Sequence, residues 1–224
     1  SLPTLELGVY TLSEVARYTN LKYSTVRYWF LGRPDGAGRG PVFRSDYPIV
    51  CGQRAVSFLD LFDALIAGQF RELGVSLQVV RRAHTLLQRR LGTIHPFCHQ
   101  DLYTDGKAII AGTASEINDE TLNDVISGQH LFPQIKIHLD HVVYCTKTKL
   151  AVRWHVADGV VMDPTLCRGK PVVEPTGTTT FVLSGAYSAN DQNADLVADL
   201  FDVSIEQVLN AVKFEEALRK RHAA

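Results

Sequence analysis

The run from Thr11 to Trp29 constrains the fold more than any other part of this 224-residue chain. Thr11 and Glu14 have the spacing of a capping box, in which each side chain binds a free backbone N–H group of a helix's first turn. Asn20 tolerates the left-handed backbone of a sharp turn, so we expect a helix-turn-helix with helices over 11–18 and 24–30. The residues expected in its small core are Val15, Ala16, Leu21, Val26 and Trp29.

The segment that follows, residues 32–48, is rich in glycine and proline and carries three arginines. A loop of this composition between helical segments is typical of a mobile β-wing. Residues 56–92 then return to helical periodicity, broken at Gly74, and Ser76 is placed to cap the second helix of the pair. One side of that helix is apolar and the other basic, so its apolar stripe needs a partner within the chain or across a dimer.

Residues 93–159 have a different pattern, from which we predict a small and mostly β connecting region. Asp158 and Gly159 form a turn signal at its end. The strands predicted within it cover residues 108–111, 135–139 and 149–156.

Helical periodicity returns in residues 160–224, after turns at Asp163-Pro164 and Gly169-Lys170-Pro171. Ser204 and Gln207 form a second capping box before the last helix. The sequence therefore predicts a mainly α fold with a small β region (α+β). Its three parts are residues 1–92, 93–159 and 160–224.

The net charge of −1 conceals an uneven distribution. Residues 1–92 carry 12 Lys and Arg against 7 Asp and Glu, a net charge of +5, whereas residues 93–224 carry 11 against 17, a net charge of −6. Residues 191–216 alone hold seven acidic residues and one base, Lys213, and such a surface repels phosphate. A basic front half suits nucleic acid, and an acidic back half suits a protein partner or self-association.

Other function classes find little support in the sequence. The four cysteines are scattered, and we expect reduced thiols. His138, His141 and Cys145 have a ligand-like spacing, but on a strand they would not converge, so we predict no metal and no cofactor. Catalytic and phosphate-binding motifs are missing, which argues against an enzyme. Neither a signal peptide nor a membrane span is predicted, which favours a cytoplasmic protein with no membrane partner.

The predicted second helix of the helix-turn-helix combines cations, hydroxyls and phenols, the groups that hold phosphates and contact base edges. In such a motif the second helix enters the major groove of DNA. The residues we expect to contact DNA are Lys22, Tyr23, Ser24, Thr25, Arg27 and Tyr28 from this helix, and Arg33, Arg39 and Arg44 from the wing.

Residues 9–92 resemble the N-terminal module of MerR-type winged-helix regulators. The most specific matches are the run Thr25-Val26-Arg27-Tyr28-Trp29 and the helix start Gly74-Val75-Ser76. The resemblance implies that the recognition helix and wing contact DNA and that the long helix supports dimerisation. We expect the homodimer to form through residues 76–91, with the C-terminal unit as the alternative contact. Lys22, Asn20 and Ser24 depart from the family's usual residues at their positions, so the resemblance does not extend to an operator sequence.

Residues 160–218 resemble a small domain of VapB-type antitoxins from type II toxin–antitoxin systems, which are encoded beside PIN-like ribonuclease toxins. The matching residues are Asp163-Pro164, Gly169 to Val173 and Gly177-Thr178; Pro175-Thr176 are inserted, and Thr179 replaces an arginine. The resemblance implies an antitoxin that also represses its own operon, with a homodimer bound to double-stranded operator DNA.

PIN-like ribonucleases collect acidic residues around a metal, so a basic segment could enter their active site. Arg219, Lys220 and Arg221 are the candidate toxin-binding residues; a solvated charge run is the simpler interpretation. The alternative function is a MerR-type regulator that responds to a small-molecule effector. Its pocket would lie in residues 93–160, lined by Phe97, Tyr103, Tyr144 and Trp154.

Overall fold

The computed structural model of the protein describes residues 7–32, 40–50, 53–104, 106–118 and 140–223. These residues are mainly helical, with small antiparallel sheets, which is the predicted fold class. Their contacts divide them into two units. The first unit contains residues 10–151, and the second contains residues 152–223 with the short segment 7–9.

The first unit begins with the predicted helix-turn-helix. Strand β1 (Tyr10–Thr11) leads into helix α1 (Leu12–Thr19), and helix α2 (Tyr23–Leu31) follows. The predicted capping box is confirmed, because Glu14 N donates to Thr11 Oγ1 and Thr11 N donates to Glu14 Oε2. Asn20 adopts the left-handed conformation (φ 59°) that ends α1. Of the five predicted core residues, four are buried and Leu21 is half-buried.

Two further strands and two long helices complete the frame around α1 and α2. Strand β3 (Gln53–Val56) pairs antiparallel with β1 on one side and with β2 (Ile49–Val50) on the other. Helix α3 (Phe58–Glu72) starts at a capping box of Ser57 and Asp60.

Helix α4 (Leu77–Leu91) is capped by Ser76, whose Oγ accepts from Val79 N, as predicted. Its apolar stripe finds its partner within the chain, because α4 packs on α3 and on a 3-10 turn, Pro96–Cys98. The buried residues of this helix are Val79, Val80, Ala83, His84 and Leu87.

The predicted strand over residues 108–111 is wrong, because these residues lie in helix α6 (Gly106–Ile117), which follows the short α5 (Asp101–Thr104). The described residues from 96 to 118 are therefore mostly helical, which also corrects the mostly β prediction for this part. A short apolar run does not distinguish a strand from a buried helix. The buried residues Thr113, Ala114 and Ile117 have helical spacing, which is the pattern of a helix and not of a strand. The strand predicted over 135–139 lies outside the described residues. Strand β4 (Val142–Tyr144) ends the first unit's elements.

The second unit packs a small sheet against helices. Strands β5 (Ala151–Ala157), β6 (Val160–Met162) and β7 (Val172–Val173) lie antiparallel in that order. Asp158 and Gly159 form the predicted turn between β5 and β6, where Gly159 has a φ of +64°. Three helices follow: α7 (Thr180–Ala189), α8 (Ala194–Phe201) and α9 (Ile205–Ala223).

Helix α9 starts at the predicted capping box, in which Gln207 N donates to Ser204 Oγ and Ser204 N donates to Gln207 Oε1. It packs along α7, with Thr180 donating to the buried Glu215 carboxylate over 2.6 Å. Within the described residues, the helices are too short or too polar to cross a membrane.

Candidate nucleic-acid interface

Helix α2 buries one face and exposes the residues predicted to contact DNA. Val26, Trp29 and Phe30 point into the core, with relative exposures of 0–2%. The predicted contact residues lie on the opposite side, where Tyr23 is 51% exposed. Four of them, Lys22, Tyr23, Ser24 and Arg27, are exposed, whereas Thr25 and Tyr28 are half-buried.

The second part of the predicted wing, residues 40–48, docks on the end of α2 and is here called the arm. The backbone N–H groups of Val42 and Phe43 both donate to Trp29 O, over 2.7 and 3.1 Å. Phe43 is buried, with its ring edge-on to Trp29, and the next residue, Arg44, is exposed. The arm thus carries a cation beside α2. The other two wing arginines, Arg33 and Arg39, lie outside the described residues.

Arg81 on α4 is a further cation beside this surface, and the sequence analysis did not single it out as a site residue. Its guanidinium lies 6.0 Å from the ring centre of Tyr28 and donates to Gly40 O over 2.5 Å. Arg81 therefore ties the start of the arm to α4 while facing α2. In the sequence, Arg81 is one of four arginines on the polar face of that helix. Only the fold distinguishes it from the other three.

A buried cluster of acidic residues and histidines lies at the arm's far end. His95 follows α4 and is 4% exposed; its Nδ1 is 2.8 Å from Asp63 Oδ2, and its Nε2 is 3.1 Å from both carboxylate oxygens of Asp46. His84 Nε2 is farther from Asp63 Oδ2, at 3.6 Å. The cluster therefore connects the arm, α3 and the end of α4.

The cluster's charges are strongly coupled. Burial disfavours the charged form of His95, but its hydrogen bonds to Asp46 and Asp63 outweigh burial and raise its pKa to about 10. Burial also acts against the charge of Asp63, yet His84 and His95 hold its pKa below the usual range. At neutral pH, His95 is therefore a cation between two carboxylates.

Asp60 joins the arm to the N-terminus of α3. Its Oδ2 accepts from Ser57 N (2.9 Å) in the capping box, from Asp46 N (3.1 Å) and from the Ser45 hydroxyl (3.0 Å). Burial raises the pKa of Asp60 to about 6, against the lowering effect of the hydrogen bond from Ser57. The sequence predicts neither the Asp60 bridge to the arm nor the His95 cluster, because their members lie far apart in the chain.

The second unit has a basic and partly apolar end. Arg219, Lys220 and Arg221 are exposed on the last turns of α9, and the Arg219 guanidinium donates to Ser184 Oγ on α7 over 3.0 Å. Phe181, 69% exposed, lies three residues before Ser184 and thus on the same side of α7. The helix pair that carries the predicted toxin-binding cations therefore also carries an exposed aromatic ring, about one turn from Ser184.

Another apolar group lies at the opposite end of α9. Residues 209 and 219 are ten positions apart, about 15 Å along a helix, so this group is separate from the basic end. Its exposed members, on α8 and the start of α9, are Leu196, Leu200, Ile205 and Leu209.

The residues expected to line an effector pocket are divided between the two units. Phe97 is fully buried against Phe70 and His84, and the Tyr103 hydroxyl donates to Phe97 O. Tyr144 stands beside Tyr103, while Trp154 belongs to the second unit. A surface cavity of about 420 Å³ lies elsewhere, lined by Arg81, Arg82, Thr85, Leu86 and Glu116.

His138, His141 and Cys145 have the spacing of metal ligands but were not predicted to bind a metal. The structure describes His141 and Cys145, whereas His138 lies outside the described residues. His141 is exposed in the turn before β4, and Cys145 directly follows that strand. Hydrogen bonds from Thr148 lower the pKa of the Cys145 thiol to about 7.

Comparison with known proteins supports the fold. No protein-family model matches the chain, and no curated protein matches it. Among solved structures, the crystal structure of Rv2018 from Mycobacterium tuberculosis is similar, with a TM-score of 0.71 and 24% sequence identity. The similarity covers 91% of this chain and 96% of that one. At this identity, the likeness shows a shared fold and carries no information about function.

Proposed function

We propose that this protein is the antitoxin of a type II toxin–antitoxin pair and represses its own operon in the cytoplasm. In this proposal a homodimer binds double-stranded operator DNA through α2 and the wing of each first unit. The second unit binds and inhibits a PIN-like ribonuclease toxin. The observation that carries the DNA-binding part is the outward face of α2, where Lys22, Tyr23, Ser24 and Arg27 are exposed above a buried face.

Physical chemistry supports DNA as the ligand of that face. Cations and hydroxyls hold phosphates, and Tyr23 and Arg27 can reach base edges from a helix lying in the major groove. The first turn of α2 contains no acidic residue to repel phosphate. Arg44 adds a second cation from the arm, as a wing residue beside a recognition helix would.

Titration of double-stranded DNA from upstream of the protein's own gene tests this proposal. We expect binding to weaken steeply with salt. Arg27→Ala should lower affinity at least about tenfold and reduce the salt slope by about 0.9 for each phosphate that the side chain no longer neutralises. Arg89→Ala is the matched control, since Arg89 is exposed on α4 about 12 Å beyond Arg81. Equal affinities and slopes for Arg27→Ala and the unmodified protein would contradict the assignment of α2.

The homodimer is proposed to form through the apolar group of α8 and the start of α9. The apolar stripe of α4, through which the sequence led us to expect the dimer contact, is already buried within one chain. Two recognition helices also suit a pseudo-palindromic operator. Sedimentation of Leu200→Asp tests the contact: we expect monomers, whereas an unchanged dimer would move the contact elsewhere.

Toxin binding is proposed at the other end of α9, where Phe181 can anchor a contact and the cations can face an acidic active site. The test measures ribonuclease inhibition by the protein co-expressed with its neighbouring gene product. We expect the double variant Lys220→Glu and Arg221→Glu to lose inhibition while keeping the bond between Arg219 and Ser184. Full inhibition by this variant, or by a chain lacking residues 219–224, would reject the basic end as the toxin contact.

A further inference from the structure

Three side chains at the end of the arm converge with the spacing of metal ligands. Asp46, Asp60 and His95 each offer one ligand atom, and the three atoms lie within 4.8 Å of one another. Two ligands bound to one metal at about 2.1 Å and a tetrahedral angle are roughly 3.4 Å apart. His95 Nε2 and the Asp46 oxygens, at 3.1 Å, are within about 0.3 Å of this separation.

An unsatisfied oxygen in the cluster gives an independent indication of a ligand. Asp60 is 1% exposed, and its Oδ1 is buried with no hydrogen-bond partner among the described residues, although Oδ2 accepts several bonds. Leaving a buried polar atom unsatisfied costs about 1–3 kcal/mol, and more for a charged group. A cation beside Asp60 would satisfy this oxygen, for which the described part of the chain supplies no donor.

Residues that would not touch the metal fix the orientation of the His95 ring, as is usual for metal-binding imidazoles. Its Nδ1 is bonded to Asp63 Oδ2, and Asp63 Oδ1 in turn accepts from Phe97 N over 3.2 Å. A carboxylate at Nδ1 fixes the ring orientation and presents Nε2 to a metal. Three carboxylates around one imidazole also leave buried negative charge, which a divalent cation would balance.

We propose that Asp46, Asp60 and His95 bind one divalent transition-metal cation. The cation takes the place of the proton on His95 Nε2, and water completes its coordination. It enters beside Asp46, whose side chain is 15% exposed. A nitrogen and carboxylate donor set favours Zn²⁺ over Mn²⁺. Mg²⁺ and Ca²⁺, which take six or more oxygen ligands, suit three mixed ligands poorly.

Metal content and affinity test the site directly. The full-length protein, stripped with a chelator, is loaded with Zn²⁺ alone, gel-filtered and assayed for metal; competition with a chromophoric chelator gives the affinity. We expect one Zn²⁺ per chain, and we expect Asp46→Asn and Asp60→Asn each to weaken binding at least about 100-fold. Asparagine keeps the shape of both residues, and at position 60 its amide oxygen can still accept from Ser57 N in the capping box of α3, so both variants should fold.

The matched control is His141→Ala, which removes an exposed histidine near Cys145. It should leave Zn²⁺ binding unchanged. Loading the unmodified protein with Co²⁺ gives a second measurement, in which nitrogen and oxygen ligands produce visible bands without thiolate charge transfer. The proposal is overturned if the protein retains no Zn²⁺ or if both asparagine variants bind Zn²⁺ as tightly as the unmodified protein. It is also overturned if His141→Ala loses Zn²⁺ binding or if the Co²⁺ spectrum shows a thiolate charge-transfer band.

Discussion

Replacing His95 by alanine is the sharpest test of the buried cluster, and it does not depend on the proposed function. In the metal-free protein the ring lies between the carboxylates of Asp63 and Asp46, at 2.8 and 3.1 Å. The Asp63 side chain is only 3% exposed, so bulk water does not solvate its charge in the folded protein. The variant therefore retains a buried carboxylate without its closest cation.

The size of this destabilisation follows from two independent quantities. Removing one partner of a buried ion pair costs about 3–5 kcal/mol, and since Asp46 keeps some contact with water we expect about 4 kcal/mol. The pKa of His95 is raised from 6.5 to about 10, which at 1.36 kcal/mol per unit corresponds to roughly 5 kcal/mol. Both values are of the same order, and either is a large part of a domain's stability of about 5–15 kcal/mol.

The pH dependence follows from the sign of this shift. Because the folded pKa is raised, the contribution of His95 is fully present below pH 6.5 and is lost as the pH rises towards 10. Urea unfolding in the presence of a chelator, followed by circular dichroism across this range, measures both effects. The unmodified protein should lose stability with rising pH, and His95→Ala should lack this component.

His99→Ala is the matched control, because His99 is also buried but its Nδ1 is 3.9 Å from Asp101. We expect it to cost less than half as much as His95→Ala. A cost below about 1 kcal/mol for His95→Ala, or an unchanged pH dependence, would refute the assignment of a buried, charged imidazole.

Three smaller changes probe other contacts by urea unfolding. Thr11→Ala removes the cap of α1 and should cost about 1 kcal/mol; an unchanged stability would mean that the cap adds nothing. Thr180→Val removes the hydroxyl bonded to Glu215 and should cost about 1–3 kcal/mol, and equal stability would show that bond to be neutral. Gly159→Ala should cost at least about 1 kcal/mol, since the new Cβ would stand 2.8 Å from Asn210 Nδ2 at a positive φ; a stabler variant would contradict that geometry.

The parts of the fold that could be predicted from the sequence depend on neighbours a few residues apart. The caps at Thr11, Ser76 and Ser204 each bind a group three residues along the chain, so their signals are complete within one short segment. The outward face of α2 is equally local, because helical spacing alone places Val26 and Trp29 on the opposite side.

Elements decided by distant contacts could not be predicted in this way. The helix over 106–117 is held by Arg90, whose guanidinium donates to Thr113 Oγ1 and pairs with Glu116 over 2.7 Å. These contacts span 23 and 26 residues, so the run Ala108 to Ala111 taken by itself resembles a strand. The cluster around His95 likewise joins residues up to 49 positions apart, and neither periodicity nor motif spacing reports such a meeting.

Asp60 accepts hydrogen bonds from both α3 and the arm, which has a consequence for how the first unit opens. One oxygen accepts both from Ser57 N, at the start of α3, and from Asp46 N, in the arm. When that carboxylate swings away, both amides lose their acceptor together. In hydrogen–deuterium exchange the amides of Ser57 and Asp46 should therefore share one opening free energy, so that the arm and the first turn of α3 form a single cooperative unit.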